Sequence, residues 1–180
     1  MEKGTYLASV LAELLRYKSL AEKAMHQLEA AQLFIAANED SNSIAVIVQH
    51  LHGNMLSRFT DFLSSDGEKS WRQRDAEFDN HLEDKDVLFT LWNEGWECVF
   101  SAISPLTEKN LTDIVYIRSE AHTVTEAINR QLAHYPYHIG QIIFLAKIIK
   151  NKNWQNLSIP KGHSTAYNQS GDIKDPAKKY

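Results

Sequence analysis

Apolar residues recur at helical spacing in four long stretches of the chain. Leu7, Val10, Leu11, Leu14, Leu15, Ala21, Met25 and Leu28 predict a first helix from about residue 4 to 29, with Gly4 or Thr5 placed to cap it. Residues 38–43 are polar and read as a loop, with Asn42 or Ser43 as the N-cap of the next helix. That second helix carries Ile44, Ile47, Val48, Leu51, Met55, Phe59, Phe62 and Leu63, and stops before the Asp66-Gly67 turn signal. Leu88, Leu91, Trp92, Val99 and Ile103 predict a third helix over about 83–103, with Pro105 marking its end. Thr123-Val124-Thr125-Glu126 fits a capping box and opens a fourth helix through Ile128, Leu132, Tyr135, Ile139, Ile142, Ile143 and Ala146 to about Lys150. Pro136 lies inside it and predicts a kink or local bulge.

The connections are long. Residues 66–82 are polar, with Trp71 and Phe78 expected to pin the segment to the helices, and Arg72 and Arg74 available to an anionic ligand. Residues 104–121 show no helical period, and 114–117 form a short β-prone stretch that cannot carry a sheet by itself. After Asn151 the composition turns to Asn, Lys, Gly and Ser, with Trp154, Leu157 and Ile159 as docking residues and the last dozen residues expected to be disordered. The expectation is an all-α four-helix bundle over residues 1–153, followed by a tail over 154–180 that is partly docked.

Composition narrows the function classes. An apolar content of 43% with 10% aromatics suits a globular domain of 180 residues. The net charge of −4 provides no basic footprint for nucleic acid, and no apolar run reaches the roughly 20 residues that span a membrane. The opening residues lead directly into an amphipathic pattern and do not read as a signal peptide. Cys98, the single cysteine, excludes an internal disulfide and fits a reducing cytoplasm. It lies between Glu97 and Val99 with no basic neighbour in sequence, so it reads as a structural cysteine and not a nucleophile.

The candidate chemistry is carried by histidine. His134 and His138 are four residues apart, one turn on one helical face, with roughly 6 Å between Cβ atoms. Two imidazoles so placed can converge on one divalent metal. A third ligand would come from the second helix, which offers His50 and His52. At about 100° per residue, His52 lies nearer the middle of the apolar stripe and His50 further round, towards Asn54 and Ser43. Periodicity favours His52 as the inward one without deciding the choice.

The stretch 43–51, ending Gln49-His50-Leu51, followed by His134-Tyr135-Pro136-Tyr137-His138-Ile139-Gly140-Gln141, resembles the DinB/YfiT-like superfamily of metal-binding four-helix bundles. The segments 53–63, 67–78 and 127–132 resemble an uncharacterised branch of it, and the resemblance spans residues 1–160. It implies that His50, His134 and His138 bind one divalent metal, with zinc or nickel as the ions that suit imidazole. It also implies a homodimer.

Three neutral imidazoles leave coordination positions open, as catalytic sites do. Tyr135, Tyr137, Asn54 and Gln141 are then candidates to orient ligands or substrate. Relatives in the superfamily imply a metal-dependent transferase that uses a low-molecular-weight thiol against an electrophilic small molecule. The alternative is a non-catalytic dimeric bundle whose metal stabilises the fold or serves ligand binding or a stress response. Metal-dependent hydrolysis ranks behind both, because no Glu stands beside the ligands as in His-Glu-x-x-His.

Overall fold

Thr5 Oγ1 accepts the Ala8 amide at 3.3 Å and starts α1 (Tyr6–Met25), which buries Leu7, Val10, Leu14, Ala21 and Met25 on one face. The computed structural model describes residues 5–79, 82–172 and 174. The first helix stops at Met25, short of the expected residue 29, because the chain turns to insert Leu28 and then Leu33, from the 3-10 turn Ala30–Phe34, into the core. Ser43 caps α2 (Ile44–Phe59) through its hydroxyl, which accepts the Val46 amide at 3.2 Å. This helix ends at Thr60 because Asp61 adopts a positive φ of 51°, and Phe62 reaches the core from beyond the helix.

Asp84 caps α3 (Lys85–Ile103) by accepting the amides of Asp86 and Val87. Trp92, Trp96, Val99 and Ile103 form its buried face. The capping box of α4 (Val124–Lys150) is formed as the sequence predicts, Thr123 Oγ1 accepting the Glu126 amide at 3.2 Å and Glu126 accepting the Thr123 amide at 2.7 Å. The helix runs unbroken through Pro136, with no π turn in place of the expected bulge. The ring removes only the amide that would bond the Leu132 carbonyl.

Among the described residues the bundle is all-α apart from one hairpin, and its wiring is not up-down-up-down. The closely packed pairs are α2 with α3, α1 with α4, α2 with α4 and α1 with α3. Consecutive helices α1 and α2 therefore lie diagonally, as do α3 and α4, and the long connections cross the ends of the bundle. Helix α2 consequently has two buried sides, one against α3 and one against α4. Gly95 permits the first, since a Cβ there would lie 2.9 Å from Met55 Sδ and 3.4 Å from the His52 Cα.

The β-prone stretch has a partner. β1 (Ile114–Ile117) pairs antiparallel with β2 (Glu120–Thr123), Ile114 opposite Thr123 and Ile117 opposite Glu120, burying Val115 and Ile117. The two-residue turn, Arg118 at φ 56° and Ser119 at φ 63°, has the positive φ values of a hairpin turn without the usual Asn-Gly. Asp66 compensates, its carboxylate accepting the Arg118 amide at 2.9 Å and the Ser119 amide at 2.7 Å.

The tail docks through Trp154 and Leu157, and Gln27 exchanges two hydrogen bonds with the backbone of Gln155. Ile159 stays exposed, and a short helix, α5 (Ser164–Gln169), follows. Of the last dozen residues, Ile173 and 175–180 lie outside those described. Among the described residues no helix is long and apolar enough to cross a membrane.

Candidate metal centre

His50 on the α4-facing side of α2 meets His134 and His138 on α4, and one ring nitrogen from each lies within 4.8 Å of the others. His134 Nε2 is 3.4 Å from His50 Nε2 and 3.0 Å from His138 Nε2. Four-residue spacing puts the α4 pair on one face, and the α2–α4 contact supplies the third ring.

Each ring has an oxygen behind it. His50 Nδ1 lies 2.9 Å from Glu77 Oε2, His138 Nδ1 lies 2.8 Å from Gln141 Oε1, and His134 Nδ1 lies 3.4 Å from Gln131 Oε1. Burial alone would raise the Glu77 carboxyl, but hydrogen bonds from Arg72 and His50 hold it below the usual carboxylate range. An ionised carboxylate only accepts, so His50 donates through Nδ1, and Nε2 is the nitrogen left to offer to an ion. The same tautomer follows for the other two rings from the facing amide oxygens.

Electrostatics point the same way. Burial, reinforced by His138, His50, Arg58 and Arg72, pushes the His134 pKa down to about 3, so this ring is neutral at neutral pH. Burial also lowers His138, against the hydrogen bond it donates to Gln141. Lone pairs aimed at one another without a proton between them repel unless a cation lies among them. Imidazoles on a tetrahedral zinc, at about 2.0–2.1 Å each, have nitrogens about 3.3–3.4 Å apart, close to the two separations from His134, while the His50–His138 separation lies within 4.8 Å. The three histidines therefore fit a divalent ion and could hold one.

Glu77 is built into place. Arg72 holds both its oxygens, Nε to Oε1 at 2.6 Å and an Nη to Oε2 at 2.9 Å. The amide nitrogen of Gln49 lies within 3.1 Å of the carbonyl oxygens of Ala76, Glu77 and Asp79, fastening the 3-10 turn Asp75–Phe78 onto α2. Phe78 stacks on the His50 ring, centroids 4.8 Å apart. The expectation that Trp71 and Phe78 pin this segment holds for Phe78 alone. Trp71 is 52% exposed, and the Arg72–Glu77 pair does the anchoring instead. Asn80 and His81 of the same segment lie outside the described residues.

Other candidates fall on either side of the cluster. His52, which periodicity favours, faces α3 and sits 3.2 Å from Glu94. Tyr135 is fully buried and donates to Asn54 Oδ1 at 3.3 Å, beneath the histidines. Tyr137 is largely exposed, its ring 4.9 Å from that of His138. Burial raises the Cys98 thiol, and it sits by Thr60 and Met55, away from the histidines. A cavity of about 380 Å³ opens over the cluster. Sequence reasoning assigned no role to Glu77, which lies 27 positions from His50 and leaves no spacing signal, or to Gln131, whose three-residue spacing from His134 on one helix is the signal that finds it.

No curated protein and no solved structure matches the chain. Residues 2–163 match a family described as "Protein of unknown function (DUF1572)", and with nine-tenths of its length covered the chain belongs to that family.

Proposed function

We propose that this protein is a divalent-metal-binding bundle of DinB/YfiT-like type, with His50, His134 and His138 as ligands, and that it transfers a low-molecular-weight thiol to an electrophilic small molecule. The observation that carries the metal reading is the convergence of three Nε2 atoms whose Nδ1 partners are all provided for. Zinc or nickel suits such a donor set. When bound, the ion supplies Lewis acidity that favours the deprotonated form of a thiol.

The chain's own residues favour transfer over hydrolysis. Glu77 is the carboxylate on the histidine cluster, and Arg72 and His50 engage both its oxygens. No acid lines the cavity among the described residues, so no general base is in place for a water. Cys98 does not line the cavity, so the thiol comes from outside. A homodimer, which rests on the resemblance, and a cytoplasmic location, which rests on the single cysteine Cys98, belong to the same reading. A purely structural metal fits less well, because such sites are closed by four protein ligands and this one has three among the described residues.

Elemental analysis of untagged protein beside His50→Ala, His52→Ala and His134→Ala/His138→Ala tests the ligand set. Near-stoichiometric metal, lost with His50 and with the pair but kept in His52→Ala, is the expected result. Metal retained in His50→Ala would overturn it. Thiol consumption with an electrophile across a thiol panel, abolished in His138→Ala, tests the transferase. Consumption equal to the protein-free control would leave the non-catalytic bundle.

A further inference from the structure

The cavity over the histidines is lined by charge of one sign. Arg58, Arg72, Arg74, Arg118 and Arg130 contribute to its wall, and no carboxylate does among the described residues. Nearby acids answer three of these guanidiniums. Glu77 holds Arg72, while Glu68 lies 3.1 Å from Arg58 and 3.0 Å from Arg118. Arg74 and Arg130 have no ion pair among the described residues.

These two reach the cavity from different elements. Arg74 lies over the face of Phe78, its guanidinium carbon 5.7 Å from the ring centroid, and that ring stacks on His50. Arg130 stands one helical turn before His134 on α4. Planar guanidiniums match carboxylate and phosphate oxygens, and a concavity of one sign draws anions in. A volume of about 380 Å³ suits a small molecule, and the chain's net charge of −4 disfavours a polyanion.

We infer that the cavity binds a small-molecule anion, with its carboxylate or phosphate group held by Arg74 and Arg130 and its other end directed at His50, His134 and His138. The inference deepens the metal-site reading and rests on it for what the far end meets. The arginine clamp itself is independent of a metal. A thiol or electrophile acted on here therefore carries an anionic handle.

Calorimetric titration of the full chain, metal-free and zinc-loaded, with succinate, inorganic phosphate and the neutral succinamide tests this, beside Arg74→Gln, Arg130→Gln and the double variant. Both arginines are exposed, so the variants should fold, which a melting curve checks. If the double variant does not fold, the single variants carry the comparison. Succinate or phosphate should bind where succinamide does not, each single variant should weaken binding about tenfold, and bound zinc should be unchanged. Which of the two anions binds more tightly distinguishes a carboxylate handle from a phosphate handle. Equal binding of succinamide, no anion binding in either form, or unchanged affinity in the variants would overturn the clamp. Anion binding that needs zinc and ignores the arginines would do so while leaving the metal site standing. Arginine-dependent binding by a chain that takes up no zinc would uphold the clamp and overturn the metal reading.

Discussion

Glu77 Oε2 lies 2.9 Å from His50 Nδ1, joining the segment after α2 to the ring that faces His134 and His138. Arg72 occupies the same carboxylate through two bonds, so the three side chains form one buried unit. Glu77 thus positions His50 and fixes its tautomer, while Arg72 keeps Glu77 ionised.

Glu77→Gln keeps the shape and removes the charge. Metal affinity should fall about 10- to 100-fold, read by competition with a chromogenic chelator. Stability should fall by about 3 kcal/mol in denaturant, because buried Arg72 loses its counter-charge. Glu94→Gln, which alters the more exposed partner of His52, should change neither.

Gly53 gives Glu77 its room. A Cβ at position 53 would lie 2.3 Å from Glu77 Oε1 and 2.7 Å from its carboxyl carbon. Gly53→Ala should therefore destabilise the protein, although alanine in a helix is ordinarily worth about 1 kcal/mol over glycine. In Glu77→Ala the same substitution should become neutral or stabilising, and a double-mutant cycle measures that reversal.

Phe78→Ala and Trp71→Ala separate the two aromatic residues of the segment. Loss of the half-buried Phe78 ring from His50 should cost about 2 kcal/mol. Removal of exposed Trp71 should stay within about 0.5 kcal/mol of wild type. Equal effects in chemical denaturation would contradict this anchoring.

The hairpin should come loose in acid. The Glu68 amide, and with it the Ser119 and Arg118 amides, holds the Asp66 carboxyl below its ordinary 3.8. Burial would raise Glu68, but Arg118 and Arg58 bring it below 4.5. Both groups are depressed in the folded state, so their stabilisation is present above the ordinary values and is lost as pH falls through the folded ones. Hydrogen exchange at the Arg118 and Ser119 amides should accelerate below about pH 4.5 relative to other hairpin amides, in step with these two titrations. Asp66→Asn should show faster exchange already at pH 7 and a flatter pH dependence.

Helix identity was legible in the chain because its causes are local. Ser43, Thr123 with Glu126, and Pro105 mark ends, and apolar spacing marks faces within a few residues of each position. The four-residue spacing of His134 and His138 likewise guarantees a shared face. The third histidine was not legible by the same logic. Residues 44–48 of α2 are all buried, so the helix has inward sides towards both α3 and α4. A helical wheel assumes one such side and prefers His52, which faces α3 and Glu94, whereas His50 faces the α4 pair. The resemblance implied His50, and the packing shows why it is the one beside the pair.

What tertiary structure alone decided was every contact whose partners are distant in sequence. Glu77 reaches His50 across 27 positions, and Asp66 supports a turn at Arg118 and Ser119 whose composition does not announce a hairpin. Periodicity reports on neighbours one turn or one strand step apart. The choice among diagonal and adjacent helices, and the carboxylates that then come within hydrogen-bonding reach, depends on how whole faces pack.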